Sequence, residues 1–211
     1  CSSLTQITIP SSVTSIRNYA FNGCSSLTQI TIPSSVNEIG NNAFNRCSSL
    51  TQISIPSSVE SIKYGAFSNC SSLTQISIPS SVISIGCCTF DGCFQLDEII
   101  IRDENDSFLN FYENTFFVCK INKTYDTLLW VKSKIDTITI PSFITTICSS
   151  AFSVCSRLTQ ITIPSSVASI GCGAFSNCIS LTQISFEIPS SVISIGNSAF
   201  NGCSSLTQIT I

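Results

Sequence analysis

Residues 24–46 read CSSLTQITIPSSVNEIGNNAFNR, and this 23-residue pattern recurs along almost the whole chain of 211 residues. The first position of successive copies is a cysteine, at Cys1, Cys24, Cys47, Cys70, Cys93, Cys155, Cys178 and Cys203. A faithful repeat of about 20 to 50 residues is typical of solenoids, in which each coil packs only on its neighbours. The sequence therefore predicts a repeat solenoid that is mainly β.

The apolar residues of each copy change their spacing in a way that locates the sides of a coil. Residues 4–9 alternate apolar and polar side chains, which predicts a strand with Gln6 and Thr8 facing outward. Pro10 and the two serines after it end this strand and turn the chain. The positions predicted to be buried are Leu4, Ile7, Ile9, Val13, Ile16, Phe21 and Cys24.

The repeated unit, L-x-x-I-x-I-P-x-x-V-x-x-I-x-x-x-A-F-x-x-C, resembles the BspA-like, or Treponema pallidum-type, leucine-rich repeat family. The motif recurs over Leu27–Phe44, Leu50–Phe67, Leu73–Phe90, Ile135–Phe152, Leu158–Phe175 and Leu181–Phe200. The resemblance implies a right-handed leucine-rich-repeat superhelix. Because the pattern starts and stops inside a repeat, we expect the chain to be a fragment of a longer protein.

One long segment departs from the repeat. We predict leucine-rich repeats over 1–93 and 135–211, and an aromatic and acidic insertion over 94–134 within the same solenoid. Within the insertion, Thr115–Lys120 and Thr127–Val131 are predicted strands of a β-hairpin, joined by Ile121–Asp126. Proteins of the resembled family carry similar inserts, in which a turn like Asn105–Phe108 precedes the hairpin.

The insertion allows two interpretations. It is either a structural spacer that lets the solenoid continue, or a contact surface for a protein partner. Its unrepeated aromatics Phe111, Tyr112, Tyr125 and Trp130 are the candidate partner-binding residues, because large aromatic side chains often anchor interfaces. Some of them must pack the hairpin onto the coils, so only the exposed ones are candidates.

The repeated cysteines occupy positions where other leucine-rich repeats have aliphatic residues. We therefore expect buried free thiols that act as small hydrophobic side chains. A disulfide between Cys148 and Cys172, in adjacent coils, remains an alternative for the cysteines outside the repeat position. The chain has no histidine and no C-x-x-C pair, which disfavours a structural zinc site.

No catalytic, cofactor-binding or metal-ligating set is predicted, and we expect no enzyme. Without histidine there is no Ser-His or Cys-His dyad, and no glycine-rich phosphate loop follows a strand. Asp103, Asn105 and Ser107 resemble the start of a calcium loop, but the later glycine and glutamate of that loop are missing. Glycosylation sequons begin at Asn69, Asn105 and Asn122, and they matter only if the chain is secreted.

Composition and repetition together limit the function. Charged residues make up 10% of the chain and the net charge is −3, so there is no basic stripe for nucleic acid. No apolar run is long enough to span a membrane. The exposed glutamines, one in the predicted strand of each repeat, are expected to hydrogen-bond to one another along the stack and so to have a structural role. Specific recognition should therefore use the lateral turns and the insertion.

The leading hypothesis is a non-enzymatic protein-binding or adhesion module. The resemblance implies a protein displayed on the cell surface, or an extracellular one, that engages host or matrix proteins. The alternative is a cytoplasmic leucine-rich-repeat scaffold, which reduced cysteines would favour.

Overall fold

The computed structural model describes residues 1–102, 108–111, 116–121 and 124–210, and between residues 103 and 125 it describes only the side chain of Val118. The described residues form strands and turns, with no helix. The chain divides into two compact units, Cys1–Asn110 and Phe111–Ile211. Each unit is a stack of coils, so the predicted solenoid is confirmed.

The first unit has a longer strand and a shorter strand in most coils. The longer strands are β1 (Gln6–Thr8), β3 (Gln29–Thr31), β5 (Gln52–Ser54), β7 (Gln75–Ile78) and β9 (Glu98–Ile101), and they form one parallel sheet in that order. The shorter strands are β2 (Ser15–Ile16), β4 (Glu38–Ile39), β6 (Ser61–Ile62) and β8 (Ser84–Ile85), and they form a second parallel sheet. A tenth strand, β10, spans Phe108–Phe111.

Strand β9 lies beyond the predicted start of the insertion at residue 94. Glu98 pairs with Gln75, and Ile101 with Ile78, in the register of the earlier strands. The backbone nitrogen of Arg102 also donates to the carbonyl of Ile78 at 2.9 Å. The repeat geometry therefore continues to Arg102, although the residues from 94 onward no longer match the repeated sequence.

The second unit contains the predicted hairpin. Its strands are β11 (Phe116–Ile121), β12 (Thr124–Val131), β13 (Thr146–Ile147), β14 (Gln160–Ile163), β15 (Ser169–Ile170), β16 (Gln183–Phe186), β17 (Ser194–Ile195) and β18 (Gln208–Thr210). Strands β11 and β12 pair antiparallel, which confirms the hairpin, but β12 begins three residues before the predicted strand. The predicted connection Ile121–Asp126 was therefore too long, and residues 122–123 at its centre lie outside the described residues.

The hairpin is also part of the solenoid wall. Strand β12 pairs in parallel with β13, placing Leu128 beside Ile147, and β13 continues through β15 to β17. Leu128 therefore occupies the lane of the isoleucines in the short strands. The remaining strands, β14, β16 and β18, form a parallel sheet of their own.

The core of each unit consists of lanes of identical side chains, as predicted. Leucine, valine and phenylalanine from successive coils are fully buried, among them Leu50, Val59 and Phe67. The phenylalanine rings stack nearly parallel, with centroids 5.5 Å apart between Phe44 and Phe67 and 4.7 Å apart between Phe152 and Phe175. Burial of these lanes is the main source of stability, because the chain has few charges to form ion pairs.

Two turn positions in the coils adopt left-handed backbone conformations. One precedes the Ala-Phe pair and the other precedes the repeated cysteine. Glycine or asparagine often occupies them, as at Gly23, Asn69 and Asn177, since these residues tolerate positive φ. Val154 occupies the second position with φ of 59°, which is unfavourable for a β-branched residue.

The coil with two extra residues keeps its strand intact. Phe186 and Glu187 lengthen this coil by two residues, yet β16 stays in register with both of its neighbours through Ser185. The backbone nitrogen of Glu187 still donates to the carbonyl of Ile163 at 2.9 Å. The extra length is accommodated after Glu187, where Ile188 is strongly exposed.

Candidate functional site

Most of the repeated hydroxyl groups serve the stack itself. Oγ of Ser58 donates to the carbonyl of Val36 in the preceding coil at 2.6 Å, and Oγ of Ser35 does the same to Val13. Several threonines that precede exposed glutamines do the same, as Oγ1 of Thr182 donates to the carbonyl of Thr159 at 3.0 Å. These side chains donate hydrogen bonds to backbone carbonyls of the preceding coil, so their repetition reflects structure.

The repeated cysteines are also structural. Those at Cys24, Cys47, Cys70, Cys93, Cys155, Cys178 and Cys203 are free and mostly buried, as predicted. Sγ of Cys70 donates to the carbonyl of Phe44 at 3.2 Å, and Cys93 donates in the same way to Phe67. Burial raises the pKa of Cys93 to about 12, so this thiol stays protonated and unreactive at neutral pH.

The predicted alternative of a Cys148 to Cys172 bridge is wrong. Cys172 is a free, exposed thiol. Cys148 is disulfide-bonded, as is Cys87, although neither occupies the repeated cysteine position.

The outward glutamines behave differently from the other repeated polar residues. Apart from Gln75, which donates to Glu98, and Gln208, which donates to Thr210 of its own strand, the described glutamines of this lane form no side-chain hydrogen bonds. The predicted ladder of amides along the stack is therefore wrong. The amides of Gln29 and Gln52 are exposed and available to a ligand.

These glutamines line a groove on the outward face of the first unit's long-strand sheet, which we call the strand-face groove. Its volume is about 350 Å³. The amides lie on one side, and the hydroxyls two residues further along each strand lie on the other. The lining residues are Gln29, Ile30, Thr31, Gln52, Ile53, Ser54, Gln75, Ser77, Ile100 and Arg102.

The outward side chains of the groove differ in chemistry at β9. The outward residues of the earlier strands are glutamine and a hydroxyl residue, whereas β9 presents Glu98 and Ile100, followed by Arg102. Nε2 of Gln75 donates to Oε2 of Glu98 at 2.7 Å, and Nε of Arg102 donates to Oγ of Ser77 at 2.5 Å. Unlike the repeated strands, this end of the groove offers charge of both signs and an aliphatic side chain.

The candidate aromatics of the insertion are only partly described. Trp130 is buried, with 6% of its surface exposed. Only exposed aromatics of the insertion are candidates for partner binding, so Trp130 is not one of them. Tyr112 and the side chains of Phe111 and Tyr125 lie outside the described residues, as do residues 105–107 of the turn Asn105–Phe108 and the calcium-like stretch 103–107.

A second departure from the repeat lies on the lateral turns of the first unit. Tyr19 and Tyr64 are more than half exposed there. Backbone hydrogen bonds link both to the intervening coil, through Asn41 and Asn42. Nζ of Lys63 lies 3.3 Å from Oε2 of Glu38, which places charge on the same turns. This agrees with the expectation that variation gathers at the lateral turns.

Sequence reasoning missed the β9 end of the groove. The signal was present, because residues 96–101 align with the repeated L-T-Q-I-x-I when charged or aliphatic residues are allowed at the outward positions. We instead assigned these residues to the insertion on the basis of their composition. Alignment by buried positions, Leu96, Ile99 and Ile101, would have found the strand.

The repeat matches a known family of repeats. The sequence profile of the "BspA type Leucine rich repeat region" matches residues 1–122 and 127–211, in six copies. The chain belongs to the BspA-type leucine-rich repeat family. This confirms the resemblance drawn from the repeat. No curated protein matches the chain significantly.

Solved structures of leucine-rich repeat proteins share the fold. A leucine-rich cell surface protein from Faecalibacterium prausnitzii is 29% identical with a TM-score of 0.72, over all of this chain and 73% of that one. A leucine-rich repeat protein from Bacteroides ovatus is 26% identical with a TM-score of 0.62, over 99% of this chain and 55% of that one. One from Eubacterium ventriosum, 24% identical with a TM-score of 0.71 over 98% of this chain and 66% of that one, shows the fold alone.

The described residues contain neither a metal-ligand cluster nor a helix that could cross a membrane. No group of three or more histidine, cysteine, aspartate or glutamate side chains is placed to hold a metal ion within the described ranges. Those ranges also contain no helix of the length and hydropathy that crossing a membrane requires.

Proposed function

We propose that this BspA-type chain is a non-enzymatic protein-binding module of the adhesion kind, and that it binds its partner in the strand-face groove. The observation that carries the proposal is the difference between two sets of repeated polar groups. The hydroxyls of Ser58 and its equivalents donate hydrogen bonds to backbone carbonyls. The amides of Gln29 and Gln52 are exposed and have no hydrogen-bond partner within the chain. Unused, ordered amides can donate to and accept from a partner's backbone.

The cellular location forms part of the same proposal. The Faecalibacterium prausnitzii protein, which is 29% identical over all of this chain, is described as a cell surface protein. This likeness supports display at the cell surface, and we propose a host or matrix protein as the partner. An intracellular scaffold is the second candidate, because the repeated cysteines are free thiols and reducing compartments keep thiols free.

Labelling of intact cells from the native source separates the two locations. A membrane-impermeant amine reagent should modify the protein on intact cells if it is surface-displayed, and should do so only after lysis if it is an intracellular scaffold. A cytoplasmic protein of known abundance serves as the control for cell integrity. Labelling only after lysis would reject the surface assignment.

Binding is tested with a panel of purified matrix proteins immobilised on a sensor surface. Gln52→Arg places a long side chain in the groove and should weaken binding at least tenfold, because it displaces contacts at the centre of the surface. Ser57→Arg is the matched control, since Ser57 is exposed on a turn of the same coil and does not line the groove. Equal binding by both variants would reject the groove as the site.

The insertion aromatics remain a second proposed contact. The support is that Phe111, Tyr112 and Tyr125 do not repeat, so they could fix the register of a partner. Deleting the whole insertion would be a poor test, because β12 is a solenoid strand with Leu128 buried. Single alanine substitutions of the three aromatics avoid this damage, and unchanged binding in all three would leave the groove as the sole proposed site.

A further inference from the structure

Two opposite charges lie on one face of β9. Glu98, Ile100 and Arg102 alternate with inward residues, so they point to the same side of the sheet in the order acid, aliphatic, base. In the part of the chain that the structure describes, neither charge forms an ion pair. Each is held by a neutral group of β7, Glu98 by the amide of Gln75 and Arg102 by the hydroxyl of Ser77. Both charges are therefore positioned but not neutralised.

This order is complementary to itself. A two-fold axis perpendicular to the strand and passing at Ile100 would set Glu98 of one copy opposite Arg102 of a second copy, and the reverse pair would form by symmetry. Ile100 would face its own equivalent at the centre. We propose that the outward face of β9 is an interface between two copies of this chain, with two intermolecular ion pairs flanking an aliphatic contact.

The alternative orientation of two copies is disfavoured. If the facing strands ran parallel, Glu98 would meet Glu98 and Arg102 would meet Arg102, and such like-charge contacts are repulsive. The charge order thus selects the antiparallel arrangement, which is the isologous contact of a closed dimer. An isologous contact occupies this face in both copies, so no further copy can add through it.

The neighbouring strands suit the same partner. Two ion pairs and one isoleucine contact cover too little area, because stable interfaces bury about 1,200 to 2,000 Å² in total. Ser54 of β5 and Ser77 of β7 lie in register with Ile100, so about the same axis each would face its own equivalent. A hydroxyl group can both donate and accept a hydrogen bond, so these facing serines are also complementary to themselves. This inference rests on the proposed function, since it names a second copy as one protein partner of the groove.

Sedimentation velocity over a range of concentrations tests the interface. The wild-type chain should show a reversible monomer–dimer equilibrium that weakens as salt is raised. Glu98→Arg and Arg102→Glu should each weaken self-association at least about tenfold, because each change turns both symmetric pairs from attraction to repulsion. An equimolar mixture of the two variants should associate, since every cross-pair is again of opposite sign.

The double variant carrying Glu98→Arg with Arg102→Glu should dimerise like the wild type. Glu60→Arg is the matched control, because Glu60 is exposed, lies outside the groove and gives the same change in net charge as Glu98→Arg. It should dimerise normally. A non-reducing gel must show no covalent dimer, since the thiols of Cys1 and Cys172 are exposed.

Circular dichroism checks that each variant is folded. If a reversal variant does not fold, Glu98→Gln and Arg102→Gln replace it, and each should still weaken self-association at least about threefold. A wild-type chain that is monomeric at every concentration, or reversal variants that dimerise as tightly as the wild type, would overturn the interface. Failure of the mixed variants to associate would do the same. If the groove still bound a matrix protein under those outcomes, the proposed function would survive without the dimer.

Discussion

The stacked phenylalanine lane allows a quantitative test of the fold. Phe67 is fully buried, and its ring stacks nearly parallel to Phe44 at 5.5 Å and to Phe90 at 6.3 Å. Phe67→Ala removes this ring from the middle of the lane and leaves a cavity between two aromatic neighbours. Loss of a buried phenylalanine costs about 3 to 5 kcal/mol, and the two lost ring contacts place Phe67 at the upper end of that range. We therefore expect a loss of about 5 kcal/mol in the free energy of unfolding.

Phe21→Ala is the matched comparison within the same lane. Phe21 is half-buried and stacks on one ring only, that of Phe44 at 5.3 Å. Its loss should cost about 2 kcal/mol, since less apolar surface returns to water. Gln52→Ala should cost under about 1 kcal/mol, because its exposed amide makes no internal hydrogen bond. Urea denaturation followed by circular dichroism measures all three. Equal shifts of the midpoint for Phe67→Ala and Gln52→Ala would refute the assignment of buried and exposed lanes.

Three further predictions concern thiols and turns. Alkylation of the folded protein, resolved by mass spectrometry, should modify exposed Cys172 rapidly and Cys47 only after denaturation. Burial raises the pKa of Cys47 and Cys93 to about 12, against about 8.5 for an unfolded thiol. The folded state thus holds protons that the unfolded state releases, and stability measured by urea titration should fall as pH rises from about 8.5 toward 12. Asn177→Val should lower the free energy of unfolding by about 1 to 2 kcal/mol and Val154→Asn should raise it by about 0.5 to 1 kcal/mol, because both residues have positive φ; thermal melts showing the opposite order would reject the strain argument.

The buried lanes could be predicted from the sequence because each lane repeats one residue type at one position. Leu50, Val59 and Phe67 are fully buried as the pattern indicated. What could not be predicted was how a non-repeating segment joins the stack. Strand β12 pairs with β13 by backbone hydrogen bonds, which require no particular side chains, so the repeated pattern gave no signal for it. Trp130 is buried for the same reason, since it belongs to a wall strand.

The glutamine lane shows a different limit. Regular spacing predicted that the amides would bond to one another, as they do in other stacked β structures. The spacing is regular in the structure, with Gln6 paired to Gln29 and Gln52 to Gln75 in the backbone register. The side-chain bonds nevertheless do not form between these residues, because exposed amides can bond equally well to water. The strand register fixes the backbone positions of these glutamines, but it does not fix the hydrogen-bond partners of their amides.

A chain built from near-identical coils can carry specificity only where the repetition stops. Changes at Leu96 or Ile99 would open cavities in the lanes above and below, and both positions keep their apolar residues in the coil of β9. Changes at the outward positions cost little packing, and there Glu98 and Ile100 replace glutamine and a hydroxyl residue. A partner that slid by one coil along the uniform part of the groove would meet the same amides again. It would meet a carboxylate, an aliphatic side chain and a guanidinium only at β9, so this strand sets the register of whatever binds.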